Sequence, residues 1–233
     1  MTSIKEAVRK RYAELAGRAD TGCCGSDLYR EEDLNGLEKA AGASLGCGNP
    51  VDMAGLTEGQ VVLDLGSGGG LDVFLAARRV GPAGKVYGLD MTDEMLELAR
   101  KNQAEAGVEN VEFLKGELED IPLPDSSIDV IISNCVINLS PEKGRAITEA
   151  FRVLKPGGTL AVSDIVLLDR LPEGVADDVA AWTGCVAGAL HADDYLRLLL
   201  ESGFREPSIE ITGMVPGGAG AMVGASIRAR RPH

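Results

Sequence analysis

Asp64-Leu65-Gly66-Ser67-Gly68-Gly69-Gly70 stands between the apolar run Val61-Val62-Leu63 and a helix-forming stretch from Leu71 to Arg79. A buried strand that ends in glycines and opens a helix bends sharply and turns main-chain N–H groups toward a ligand. The texture then repeats. Lys85 to Asp90 reads as a second strand, and Thr92 is placed to cap a helix running to about Ala106. Val111 to Lys115, Ile128 to Ser133 and Thr159 to Ser163 read as three more strands. A helix from about Pro141 to Val153 meets a stop signal at Lys155-Pro156-Gly157-Gly158. A last helix, Asp193 to Ser202, precedes two late strands, Ile209 to Thr212 and Val223 to Arg228, suited to an edge hairpin. Alternation of this length predicts an α/β, Rossmann-like fold: a seven-stranded, mostly parallel sheet with helices on both faces.

The chain divides near residue 55. Residues 1–55 comprise an N-terminal helix, with Ile4, Val8, Tyr12 and Leu15 at helical spacing, and a cysteine-bearing cap with helical turns near Leu34 to Ala41. Residues 56–233 form the α/β domain, with an insertion over 166–190. A hydrophobic fraction of 45% with 25% charged residues fits a globular chain. No apolar stretch approaches the roughly 20 residues that span a bilayer, and the charged N-terminus has no signal core, so a cytoplasmic protein without a membrane partner is expected. The net charge of −13 opposes attraction to phosphate backbones and argues against nucleic acid.

The glycine spacing separates two cofactor classes. A dinucleotide fingerprint would need its third glycine at Leu71 or Val73. The spacing present, D-x-G-x-G-x-G from Asp64, resembles motif I of class I S-adenosylmethionine (SAM) methyltransferases. That resemblance implies a cofactor loop of Asp64, Gly66, Ser67 and Gly68. Asp90, ending the second strand, is placed to accept the ribose hydroxyls. Met91 is suited to an adenine face, and Glu117 with Leu118 offers an acceptor for the adenine amino group. Asn134 is expected to face the same crevice from the fourth strand.

Five cysteines remain. Cys47 and Cys185 are flanked by glycines, and Cys135 follows an apolar strand past its C-terminal end, where open α/β sheets place ligands. Thiols brought together there would suit a soft, thiophilic substrate. No C-x-x-C is present, and the histidines are only His191 and His233, which excludes a recognisable zinc site. Ser44-Leu45-Gly46-Cys47-Gly48-Asn49-Pro50, Gly88-Leu89-Asp90-Met91-Thr92, Ser133-Asn134-Cys135-Val136-Ile137-Asn138-Leu139 and Thr183-Gly184-Cys185 are similar to segments of arsenite SAM methyltransferases. The resemblance runs from Ser44 to Ser163 nearly without a break.

It implies that Cys47, Cys135 and Cys185 bind trivalent arsenic, either arsenite or a methylated arsenical. An upstream cysteine, Cys23 or Cys24, would take part in arsenic handling and in disulfide formation during turnover, either passing arsenite to Cys47 or pairing with it. Thioredoxin or glutathione is the implied reductant. Longer members of that family carry a further C-terminal domain, which this sequence is not expected to contain. Two other readings stay open at this point. One is a class I methyltransferase for a small organic acceptor, with Glu119, Asp164 or His191 as base. The other is a thiol-based metalloid sensor that keeps SAM as a structural ligand.

Overall fold

A computed structural model describes residues 3–17, 28–169, 182, 188–215 and 222–233. Strands β1 (Val61–Leu65), β2 (Lys85–Asp90), β3 (Val111–Lys115), β4 (Ile128–Asn134) and β5 (Leu154–Leu167) pair in parallel in the spatial order β3-β2-β1-β4-β5. β7 (Arg205–Met214) and β8 (Met222–Arg230) extend the sheet, β8 lying antiparallel to both β5 and β7. The expected seven strands are therefore joined by an eighth, the two-residue β6 (Leu190–His191), which pairs with β5 off the main path. No periodicity announces a two-residue strand.

Successive residues of a strand face opposite sides, so each strand feeds two cores. From β1, Val62 joins the cluster under α3 (Glu38–Gly42), α4 (Pro50–Ala54), α5 (Leu71–Val80) and α6 (Asp93–Ala106). Leu63 and Leu65 join the other, under α7 (Lys143–Val153) and α8 (Ala192–Glu201). Both faces of a parallel sheet are thus covered. α1 (Ile4–Ala16) begins with a reciprocal cap between Ser3 and Glu6, and a four-residue α2 (Glu31–Leu34) precedes α3. α1 buries Val8 in a third, smaller cluster with Cys135, Leu139, Ile165 and Leu167.

Three local expectations need correction. Thr92 occupies the cap position of α6, but its side chain makes no capping bond; its N–H is held by Asp90 instead. β5 starts at Leu154, so Lys155-Pro156-Gly157-Gly158 lies inside a strand, where the pairing of β4 with β5 is irregular. The same strand runs to Leu167, so the connection after it starts later than residue 166. Cys23, Cys24 and Cys185 lie outside the described residues.

Candidate active site

The strand order reverses between β1 and β4, which opens a crevice at their C-terminal ends. The glycine loop crosses this crevice. Gly66 and Ser67 donate their N–H groups to the Leu89 carbonyl at 2.8 and 2.9 Å, fastening the loop to β2. Gly66, Gly68 and Gly70 have φ values of +70°, +49° and +92°, a region that L side chains rarely enter. Asp90 joins the loop to the start of α6: Oδ2 accepts from Gly68 N at 3.0 Å, and Oδ1 from Thr92 N at 2.8 Å.

A cavity fills the crevice. Asp64, Gly66, Ser67, Gly68, Asp90, Met91, Glu117, Leu118 and Asn134 all line it, and so does Cys135. Its deep wall carries three carboxyl groups, on Asp64, Asp72 and Asp90. Burial pushes Asp64 well above the carboxylate range, with the Asp72 and Asp90 charges adding to the effect. Asp72 is pushed up to about 6 by burial, against hydrogen bonds from Asn134 and Tyr29 that favour its anion. Burial also raises Asp90. Such a wall favours a cationic guest. Ser67 Oγ is buried on the wall without a hydrogen-bond partner among the described residues, an atom left for a ligand to satisfy. Acidic wall, orphan hydroxyl and glycine cradle all fit SAM, a sulfonium cation with a nucleoside.

Cys135 sits one residue past β4 with φ +59° and is buried. A non-glycine residue held in this region is uncommon and costs of order 1–3 kcal/mol, strain that surrounding structure must maintain. Here its N–H is fixed by the Ser163 carbonyl at 2.8 Å. Cys47 approaches from the segment before α4, and the two cysteines are joined in a disulfide, their Cα atoms 6.1 Å apart. This differs from the expected free thiols, and from the expected partner of Cys47. Two glycines permit the approach. A Cβ on Gly46 would strike the Asn134 amide, and one on Gly48 would strike Ser163 Oγ. Apolar side chains of Val8, Leu139, Ile165 and Met222 complete the surroundings of the sulfur pair.

α1 roofs the cavity with Lys5, Val8 and Tyr12. Lys5 Nζ lies 2.7 Å from Glu117 and 3.2 Å from Glu119. Burial pulls the Lys5 ammonium down, but the two carboxylates outweigh it and hold its pKa above the ordinary value. Of the candidate bases, Glu119 is engaged by Lys5 and by the Ser140 hydroxyl. His191 accepts from Asp193 N at the start of α8, and Asp164 is buried against Asn138; neither lines the cavity. Sequence reasoning missed Tyr29 and Asp72. The only hint for Asp72 was a carboxylate in an otherwise apolar turn of helix.

Residues 56–203 match the family described as a methyltransferase domain. An arsenite methyltransferase of Halobacterium salinarum is 44% identical over 88% of this chain and 58% of its own length. The arsenite methyltransferase of Homo sapiens is 35% identical over 89% of this chain, again 58% of its own length. This chain therefore spans somewhat more than half of those relatives. The crystal structure of an arsenic(III) SAM methyltransferase from Chlamydomonas reinhardtii superimposes with a TM-score of 0.71 at 36% identity, covering 97% of this chain and 73% of that one.

Proposed function

Because the chain belongs to the arsenite SAM methyltransferase family, we propose that it moves the methyl group of SAM onto trivalent arsenic held by cysteine sulfurs. The observation that carries this reading is the meeting of Cys47 and Cys135 beside the cavity that the cofactor candidates line. Cys185 is the third proposed ligand. The catalytic unit would be residues 56–233, with residues 1–55 contributing Cys47 and a roof.

Asp90 would take the ribose hydroxyls, Glu117 and Leu118 the adenine edge, Met91 its face, and Asp64, Gly66, Ser67 and Gly68 the remainder. When bound, SAM supplies an electrophilic methyl group on a positively charged sulfur. The chain's own work is placement and charge. The carboxyls of Asp64, Asp72 and Asp90 favour a cation at the deep wall, and Cys135 lies on the same cavity. Arsenic on thiolates keeps a lone pair and has no proton to lose, so no general base is required. That accords with the positions of Asp164 and His191 away from the wall. Bringing the two reactants to near-attack distance is then the main source of acceleration.

Arsenic needs reduced sulfurs. Two equivalents of a thiol, from glutathione or thioredoxin, would open the Cys47–Cys135 disulfide, giving two protein thiols and one exogenous disulfide. The cytoplasm, where thiols are held reduced, is the proposed compartment. Among the described residues, no helix is long and apolar enough to cross a membrane.

Incubating the reduced protein with glutathione, arsenite and methyl-labelled SAM is expected to yield labelled methylarsenicals. Cys135→Ser should abolish the product while calorimetry records an unchanged SAM affinity, since a protonated hydroxyl cannot replace a soft thiolate. Product formation at the parent rate by Cys135→Ser would overturn the proposal.

A further inference from the structure

The Asn134 side chain lines the cavity, yet none of its hydrogen-bonding capacity points to a cofactor. Oδ1 accepts from Cys47 N at 2.9 Å and from Gly48 N at 3.2 Å. Nδ2 stands 2.8 Å from the Gly48 carbonyl, 3.0 Å from Asp72 Oδ2 and 3.2 Å from Tyr29 Oη. A carboxamide has two acceptor sites and two N–H groups, so this set saturates it. The two backbone donors also fix which end is oxygen, because a flipped amide would face N–H against N–H.

Behind the amide stands a second pair. Tyr29, 6% exposed, donates its hydroxyl to Asp72 Oδ1 at 2.8 Å and lies 3.1 Å from the Gly48 carbonyl. Asp72 is on α5 and Asn134 on β4, so a helix and a strand of the α/β domain jointly hold a segment from the cap. The residues held are Cys47 itself and its neighbour Gly48. Asn134 also directly precedes Cys135, so one side chain sets both cysteine positions.

We propose that Asn134, braced by Asp72 and Tyr29, is the positioning residue that registers the Cys47 sulfur against the Cys135 sulfur. It adds a device to the reaction proposed above, and its catalytic meaning rests on that reading. The geometry itself does not. Asn134 acts through the backbone of the Cys47 segment and touches no reacting atom.

The test therefore reads sulfur proximity, with no arsenic present. In the full chain carrying Cys23→Ser, Cys24→Ser and Cys185→Ser, the reduced Cys47 and Cys135 are oxidised by diamide and their cross-link is followed by peptide mass spectrometry. Asn134→Ala should slow cross-linking about tenfold, the value of a lost buried hydrogen-bond pair, and leave SAM affinity by calorimetry within about twofold. Tyr29→Phe keeps the amide but removes a brace, and should slow cross-linking about threefold. Cross-linking at the parent rate in folded Asn134→Ala overturns the proposal, because a role in general stability would lower Tm without moving the two sulfurs apart. Should Asn134→Ala not fold, Tyr29→Phe decides, and an unchanged rate there overturns it equally. A parent that cross-links as expected yet methylates no arsenic would defeat the functional reading and leave this one standing.

Discussion

Asp90 engages both oxygens, one with Gly68 N of the glycine loop and one with Thr92 N at the start of α6. Each carboxylate oxygen can accept again, so the group that shapes the loop remains able to receive ribose hydroxyls. Asp90→Ala removes both services. Loss of a charged hydrogen-bond partner costs about 1.5–3 kcal/mol, so SAM affinity measured by calorimetry should fall tenfold or more. An unchanged affinity would remove Asp90 from the site. Asp90 was legible in the sequence because a carboxylate ending the second strand of such a sheet has a known geometric meaning. Tyr29 was not. It reaches Asp72, 43 positions further along the chain, from a segment that has no apolar period, and only the packing of that segment against β4 reveals its use.

At the scale of elements, α1 is held to the roof by two kinds of contact that differ in weight. The Lys5–Glu117 pair is half exposed on the glutamate side, and such pairs contribute between nothing and about 1 kcal/mol, while Glu119, the second and nearly buried partner, keeps the Ser140 hydroxyl when Lys5 is removed. Val8 is 2% exposed, and burying a valine contributes about 1.5–3 kcal/mol. An unpaired carboxylate at that position would cost more than the docking returns. Val8→Asp is thus expected to release α1 and speed tryptic cleavage at Arg9, Lys10 and Arg11, while Lys5→Ala leaves cleavage there near the parent rate. Equal acceleration by both would show that charge holds the roof.

The apolar spacing in α1 announced the helix and its buried face, since Ile4, Val8 and Tyr12 all join the small core beside the cysteines. Its destination over the cavity had no local signal. α4 was missed altogether, although Asn49 caps it and Pro50 occupies its first turn. Five residues are too few for a period to register. At Lys155 to Gly158 the helix stops at Val153 as expected, but these turn-forming residues lie within β5, where Gly157 and Gly158 exchange backbone hydrogen bonds with Arg231.

For the molecule as a whole, the buried carboxyls set how stability responds to pH. Burial raises Asp164 from its ordinary value of 3.8 to about 7. Folded, the group keeps its proton to that pH; unfolded, it loses it near 4. Between these values unfolding releases a proton, so raising the pH favours the unfolded chain. Asp72, raised to about 6, acts in the same direction over a narrower window. Asp164→Asn removes the larger contribution and retains an acceptor for Asn138. Its Tm relative to the parent should therefore rise from pH 5 to pH 8, by roughly 2–4 °C for each kcal/mol relieved. A difference that stays flat across that range would mean that Asp164 is ionised throughout.

The position of β8 carries a consequence for synthesis. Among the described residues, β7 finds its ladder partner only in β8, which is later in the chain and sits between β7 and β5. A chain emerging at about 5–20 residues per second exposes β7 before anything can pair with it. The open edge of β5 is bare for the same interval. During those moments both edges are templates for another nascent copy, a hazard that ends when residues 222–230 thread between them. The edge of β5 is thus sealed by a strand that is made later than β7.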